Sequence, residues 1–244
     1  CMDPTEMFVL GLGVLNHEPD THKILADVLE EQGELGMAQW ARSKKSSRIK
    51  RLDFVLAILP TRLALGVACS FAARALELFP KDRVHYSHQY TQSLQSKIRE
   101  MVQVVSSTRR LATEHGNNDV IVAPLLSWAR NAYSTTEETK VVLALHTAVM
   151  HLLKLDEYRE AGDYHGERIQ VIECRNELRK VCKLARQLVR KYESDIFRRT
   201  VARQNALAEY PNWQFEYLKN FLTELIDKPV EGAAMPVDNV EPQA

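Results

Sequence analysis

Residues 161–194 read AGDYHGERIQVIECRNELRKVCKLARQLVRKYES, and the apolar positions inside that run decide the fold. Leu178, Val181, Ala185, Leu188 and Tyr192 recur at 3-4-3-4 spacing, which lines one face of a helix and no face of a strand. Ala161-Gly162-Asp163 ahead of them is a turn signal. The spacing therefore predicts one long helix running to about Ser194. Glu167, Glu173, Glu177 and Glu193 interleave with Arg175, Arg179, Lys180, Lys183, Arg186, Arg190 and Lys191, an alternation that reads as a solvated, salt-bridged face.

The same period extends outward. Ser134 to Glu137 matches the S-x-x-E capping box and opens a helix carrying Val141, Leu145, Val149 and Leu152. Leu94, Ile98, Met101, Val102 and Val105 predict a second long amphipathic helix over 90–115, closed by Gly116, and 125–133 continues helically. Val120 to Val122 is the one β-branched run, too short for a useful strand. Beyond Ser194, helices are expected over 196–209 and 213–226, split by Pro211. Towards the N-terminus, Asp3-Pro4 starts a helix over 7–15. Asp20 caps a second, which carries Ile24, Leu25, Val28 and Leu29 and stops at Gly33. Leu35 to Trp40 forms a third, and 42–51 is a basic connection. A helix then runs to about Leu59, and another from Thr61, as its cap, to Phe79 before Pro80. The expectation is an all-α multi-helix bundle of about ten helices, two of them long, with no sheet. Residues 1–45 form a short-helix segment, 46–227 the main helical domain, and 228–244, with three prolines and no periodicity, a disordered tail.

Composition agrees. The 244 residues include nine glycines and nine prolines, about 7% of the chain against an average near 12%, so turns are few. Basic and acidic residues number 32 each, and zero net charge supplies no global field to draw in nucleic acid or an anionic membrane. Residues 54–73 carry one charge, Arg62, and are long enough for a bilayer. A central Arg costs about 2.5–3.5 kcal/mol on insertion, and Pro60 interrupts the run. Two buried helices are expected instead, with Leu56, Leu59, Leu65 and Phe71 inside and no membrane partner. Cys1, Cys69, Cys174 and Cys182 make no CxxC pair. Cys174 and Cys182, eight apart on one helix, would hold their Cα atoms about 12 Å apart, beyond disulfide reach. Scattered thiols and no signal-peptide pattern imply a reducing, cytoplasmic setting; Cys1 reads as an addition ahead of the natural Met2.

Residues 19–33, PDTHKILADVLEEQG, resemble the planctomycete repeat-companion domain, with the resemblance reaching to about residue 45. Its LAD-x-LEE-x-G core is present, though Val28 stands where that family has Trp and Glu34 where it has Asp. Arg62-Leu63-Ala64-Leu65 through Phe79, with Ser127-Trp128-Ala129-Arg130, resemble a bacterial immunity-protein family. Asp195-Ile196-Phe197 with Trp213 is similar to a stretch near the end of many such planctomycete proteins. The resemblance implies a helical bacterial protein and carries over no catalytic residue. By its own pattern, Leu25, Val28 and Leu29 form an apolar face, and Asp27, Glu30 and Glu31 face solvent.

Few constellations carry chemistry. Asp82, His85 and His88 lie at i, i+3, i+6, and two imidazoles could face one cation, although a zinc site needs three or four ligands; the alternative is a polar loop after Pro80. His146 and His151 are five apart and point about 140° from each other, so they read as boundary histidines satisfied by hydrogen bonds. The sequence has no E-x-x-H, G-x-S-x-G or P-loop pattern, and Gly11-Leu12-Gly13 lies within a helical segment. The reading is a non-enzymatic protein without cofactors. Arg42, Lys44, Lys45, Arg48, Lys50 and Arg51 put six cations in ten residues beside Trp40. They mark a surface that could dock on an acidic protein or grip phosphates. Three functions follow in order: a protein–protein interaction protein of immunity or antitoxin type, a nucleic-acid-binding module using 42–51, and a helical metalloenzyme around His85 and His88.

Overall fold

The computed structural model describes residues 3–43, 47–78, 96, 136–193 and 201–227. Among them are eight helices and no strand: α1 (Pro4–Leu15), α2 (Pro19–Glu31), α3 (Leu35–Arg42), α4 (Arg48–Ile58), α5 (Thr61–Glu77), α6 (Thr136–Glu160), α7 (Tyr164–Glu193) and α8 (Val201–Asp227). The protein is all-α in these residues. The predicted helices over 90–115 and 125–133, the Val120–Val122 run, Ser134, Lys44, Lys45, Asp82, His85, His88 and the tail all lie outside them.

α6 and α7 form the central pair. The chain reverses at 161–163, where Gly162 takes φ +70°, a left-handed conformation open to Gly at little cost. Their contact is the most extensive in the fold, and α7 also packs on α4, α5 and α8. On α7, Leu178, Val181, Ala185 and Leu188 are buried as the spacing predicts, joined by Cys174, Cys182 and Val189. The N-terminal helices close the other side. α2 pairs with α3, and α1 packs on α2, α4 and α8. Gly11 sits inside α1, where a Cβ would lie 3.2 Å from both Leu222 Cδ1 and Val55 Cγ1. Its missing side chain is what lets α1 approach α4 and α8 closely. One apolar cluster runs from Phe8 through Leu225.

Residues 54–73 resolve into two helices as expected. α4 ends at Ile58 and α5 begins at Thr61, and Leu56, Leu59, Leu65 and Phe71 are all buried. Arg62 is paired: its Nη2 donates to Asp156 Oδ1 at 2.8 Å and Oδ2 at 2.6 Å. Among the described residues no helix is long and apolar enough to cross a membrane.

Three boundary expectations are corrected. The first bond of α5 runs from Ala64 N to Pro60 O at 3.0 Å, so Pro60, not Thr61, holds the cap place. α2 starts one residue before Asp20, with Glu18 at the cap and Pro19 leading the first turn, where a missing N–H costs nothing. The pair expected at 196–209 and 213–226 is one helix, α8, with Pro211 inside it. A proline there costs about 3 kcal/mol, and aromatic packing on both sides outweighs it. Tyr210 O–H donates to Phe71 O at 2.6 Å. Trp213 stacks on Tyr210 at 5.7 Å between centroids and meets Phe71 edge-on at 5.9 Å. Tyr210, Phe215, Leu218 and Leu222 are buried around that contact, each contributing about 1.5–3 kcal/mol by burial.

Leu65 is 1% exposed, and Leu65→Ala is expected to cost about 2–5 kcal/mol in chemical denaturation; a loss under about 0.5 kcal/mol would contradict its place in the core. Cys69, Cys174 and Cys182 are free and buried, and burial pushes each thiol up to about 12. A raised folded value means the native state holds these protons more tightly. Stability should therefore be complete below the ordinary thiol value near 8.5 and fall as pH rises towards 12. Unfolding curves from pH 8 to 11 would show the decline, and Cys→Ala at position 69 would flatten part of it.

Candidate functional site

The basic run is half helix. Ser47 Oγ accepts from Lys50 N at 3.3 Å and caps α4, so Arg48, Lys50 and Arg51 occupy a first turn and not a connection. The cap explains the difference: Ser at the N-cap position satisfies an orphan amide that the charges alone do not reveal. Helical spacing then sorts the cations. Arg48 and Arg51, three apart, share a face, and their guanidinium carbons lie 4.9 Å and 5.8 Å from the centre of the Phe215 ring on α8. Lys50 points the other way, its Nζ 5.1 Å from the centre of the Trp40 ring on α3. Arg48 Nη1 also donates to Asn212 Oδ1 at 2.7 Å. Arg42 is committed elsewhere, to Asp27 at 3.1 Å and to Glu30. The acids of the LAD-x-LEE segment thus face solvent as expected, and two of them neutralise the first cation of the run.

Between α4, α7 and α8 opens a recess of about 210 Å³, lined by Arg48, Ile49, Leu52, Arg186, Pro211, Asn212, Gln214 and Phe215. Its exposed surface is mostly apolar, and the polar groups behind it are continuous with the core. Arg186 lies 3.5 Å from Asp53 Oδ1 and donates to Gln214 Oε1 at 3.3 Å. Gln214, fully buried, donates to Tyr210 O–H at 3.1 Å. Burial raises the Asp53 carboxyl above its ordinary value, against the opposing pull of Arg186 and Lys50. Ile49, on the recess, is 40% exposed, and Trp40, outside it, is 57% exposed.

The α7 charges are not all solvated. Lys180 does pair with Glu177 at 3.4 Å on the surface. Arg175, Arg179 and Arg186, however, turn inward. Arg175 donates to Gln32 Oε1 at 2.8 Å, Arg179 meets Met37 and lies 3.8 Å from Glu34, and Arg186 faces Asp53. Each follows a buried seam residue, Cys174, Leu178 or Ala185, and so sits about 100° round the helix. That places all three at the edge of the seam, against α2, α3 and α4.

Elsewhere, His151 Nδ1 lies 2.8 Å from Gln170 Oε1, as a satisfied boundary histidine should. His17 Nδ1 and His22 Nε2 stand 3.2 Å apart at the α1–α2 turn. Burial, His17 and then Arg51 lower His22 from its ordinary value. Among the described residues no group of three or more His, Cys, Asp or Glu could hold a metal ion. Asn212, Gln214 and Phe215 escaped the sequence reading, and Arg186 was read there as a solvated charge, because all four lie far along the chain from Arg48. The 4-residue step from Tyr210 to Gln214 and the 3-4 step through Trp213 to Tyr217 were the available signal. No protein-family model, curated protein or solved structure matches the chain.

Asp53 tests the electrostatics. Its raised folded value makes the native state bind the proton more tightly, so its contribution is largest at low pH and lost as pH rises through that value. The stability of the wild type relative to Asp53→Asn should fall as pH rises above about 4 in denaturation experiments. A rise there would mean that attraction to Arg186 outweighs desolvation.

Proposed function

We propose that this is a non-enzymatic helical interaction protein of the immunity or antitoxin type, cytoplasmic, whose partner is a protein with an acidic surface. The observation that carries the reading is the exposed Trp40 with Lys50 across its ring, Lys50 lying on the same helix turn that carries the exposed Ile49. An exposed Trp with a cation across it, together with an exposed Ile at an apolar recess one residue earlier on the cation's helix, has the makeup of a protein interface centre. Trp and Arg dominate such centres, and isolated phosphate-binding cations do not need apolar neighbours. The resemblance of 62–79 and 127–130 to immunity proteins, and of 19–45 to the companion domain, supports the same class. Unpaired buried thiols support a reducing compartment.

Phosphate recognition is the weaker reading because Arg42 is matched by Asp27 and Glu30. Residues without such carboxylates are fewer than the run suggests. Each phosphate neutralised contributes about −0.9 to the log–log salt slope, and six cations, with some pointing away from the backbone, would give roughly −4 to −5. A photo-crosslinking side chain at Ile49, in an extract from the native host, is expected to capture one protein with or without nuclease. The same group at Glu173, on exposed α7, should not. Crosslinks to nucleic acid alone, or a micromolar duplex complex at about 150 mM salt with the steep slope, would overturn the reading.

A further inference from the structure

The left-handed residue that closes α1 is a histidine. Glu18 N donates to Gly13 O at 3.0 Å and His17 N to Val14 O at 3.1 Å, the paired bonds of a Schellman helix end, whose left-handed place normally falls to Gly. His17 holds that place at φ +62°, the one positive-φ residue other than glycine among the described residues, although a Cβ makes the conformation costly. The turn itself needs no imidazole there. What the imidazole does is reach the next helix: its Nδ1 lies 3.2 Å from His22 Nε2, with the two rings edge to face at 86°. We infer that His17 and His22 form a proton-operated latch between α1 and α2, closed while both rings are neutral and opened when they take up protons. This goes beyond the interaction reading and does not rest on it.

The placement of ring hydrogens gives the direction. A neutral imidazole has one N–H and one acceptor nitrogen. His22 Nδ1 is buried with no hydrogen-bond partner among the described residues. The neutral pair accommodates that best when His22 donates Nε2–H to His17 Nδ1 and keeps its own Nδ1 bare, so that no buried N–H is stranded. His17, at the C-terminal end of α1, is the ring that the helix dipole charges first. A proton there fills its Nδ1, and His22 must then accept at Nε2 and carry its hydrogen on the unpartnered Nδ1. A second proton leaves two N–H groups aimed at each other, and the contact is lost. The surroundings offer the charged pair no relief. Arg51 of α4 adds a positive charge, and no carboxylate weighs on His22. Glu18 turns its Oε2 back over Gly13, Asp20 and Lys23 on α2 are exposed, and the start of α2 is the positive end of its dipole. The native state therefore holds a proton on His22 less tightly than the unfolded chain. The latch contributes above the ordinary imidazole value near 6.5 and is lost as pH falls below it. Because α2 packs on α1, α3 and α4, opening frees the α2–α3 pair from the end of α1.

The test is amide hydrogen exchange of the full-length protein at about pH 7.5 and about pH 5, corrected for the intrinsic rate. The Glu18 and Thr21 amides close the turn through Gly13 O and Glu18 O. On acidification their protection should fall about tenfold more than that of α7 amides. His17→Gly suits the left-handed place, so it should keep the fold and abolish the extra loss; His22→Gln should abolish it too. Imidazole ¹⁵N spectra should show His22 titrating below the ordinary value in the wild type and moving up towards it in His17→Gly, as a coupled pair requires. Equal protection at the two pH values, an undiminished acid response in either variant, a loss shared evenly by α7, or a His22 titration indifferent to His17→Gly would each overturn the latch.

Discussion

Every described helix but α1, α2 and α3 leans on the apolar seam of α7. Leu178, Val181, Cys182, Ala185 and Leu188 are buried along it, and four other helices pack against α7. A seam of this kind is narrow. Cys174, Cys182 and Ala185 are small enough for neighbours to come close, while the leucines fill the gaps between them. The alternation of small and large side chains is what allows one helix to serve as the common wall of several. It also explains why the thiols are buried without being paired: at these positions they act as small hydrophobes.

The edge of the seam does different work from its centre. Arg175, Arg179 and Arg186 reach from α7 to Gln32, Glu34 and Asp53, so α2, α3 and α4 are located by polar contacts where apolar ones run out. Hydrophobic contact is non-directional and tolerates sliding; a guanidinium meeting a carboxylate or amide does not. The register of the N-terminal helices against α7 is thereby set by partners of defined geometry. Partial burial leaves these pairs expensive to break singly, since one partner alone would be stranded. The recess lies at the end of this stripe, and Arg186, largely buried, lines its inner side.

How much of this could be read from the chain follows from the range of the interactions. Local patterns gave the helices: the α7 seam, the Pro60 break, the Gly33 and Gly162 turns and the burial of Leu56, Leu59, Leu65 and Phe71 all rest on neighbours within a few residues. Pro211 misled because its penalty is local and visible, whereas the compensating Tyr210–Phe71 hydrogen bond spans 139 positions. The α7 arginines misled for a related reason. Glutamates interleave with them in sequence, yet a 100° step separates a solvated charge from one facing α2–α4. The basic run was found from composition, but its sorting into Arg42 neutralised, Lys50 on Trp40 and Arg48 at a recess required the helix start at Ser47 and the distant Phe215.

That sorting bears on what a charge cluster can mean in a neutral protein. Six cations counted along a sequence suggest a field, but fields are set by net charge within about a Debye length, roughly 8 Å at physiological salt. Asp27 and Glu30 on Arg42, and Asp53 behind Arg186, lie well inside that distance. What remains is short-ranged and directional: a lysine over an indole, an arginine over a phenyl ring, a pair of guanidiniums at an apolar recess. Interactions of this kind add little to long-range attraction and much to discrimination at contact. Contacts of this kind depend on the groups set directly around each cation, which is why the apolar residues around the cations weigh more in the functional reading than the number of cations does.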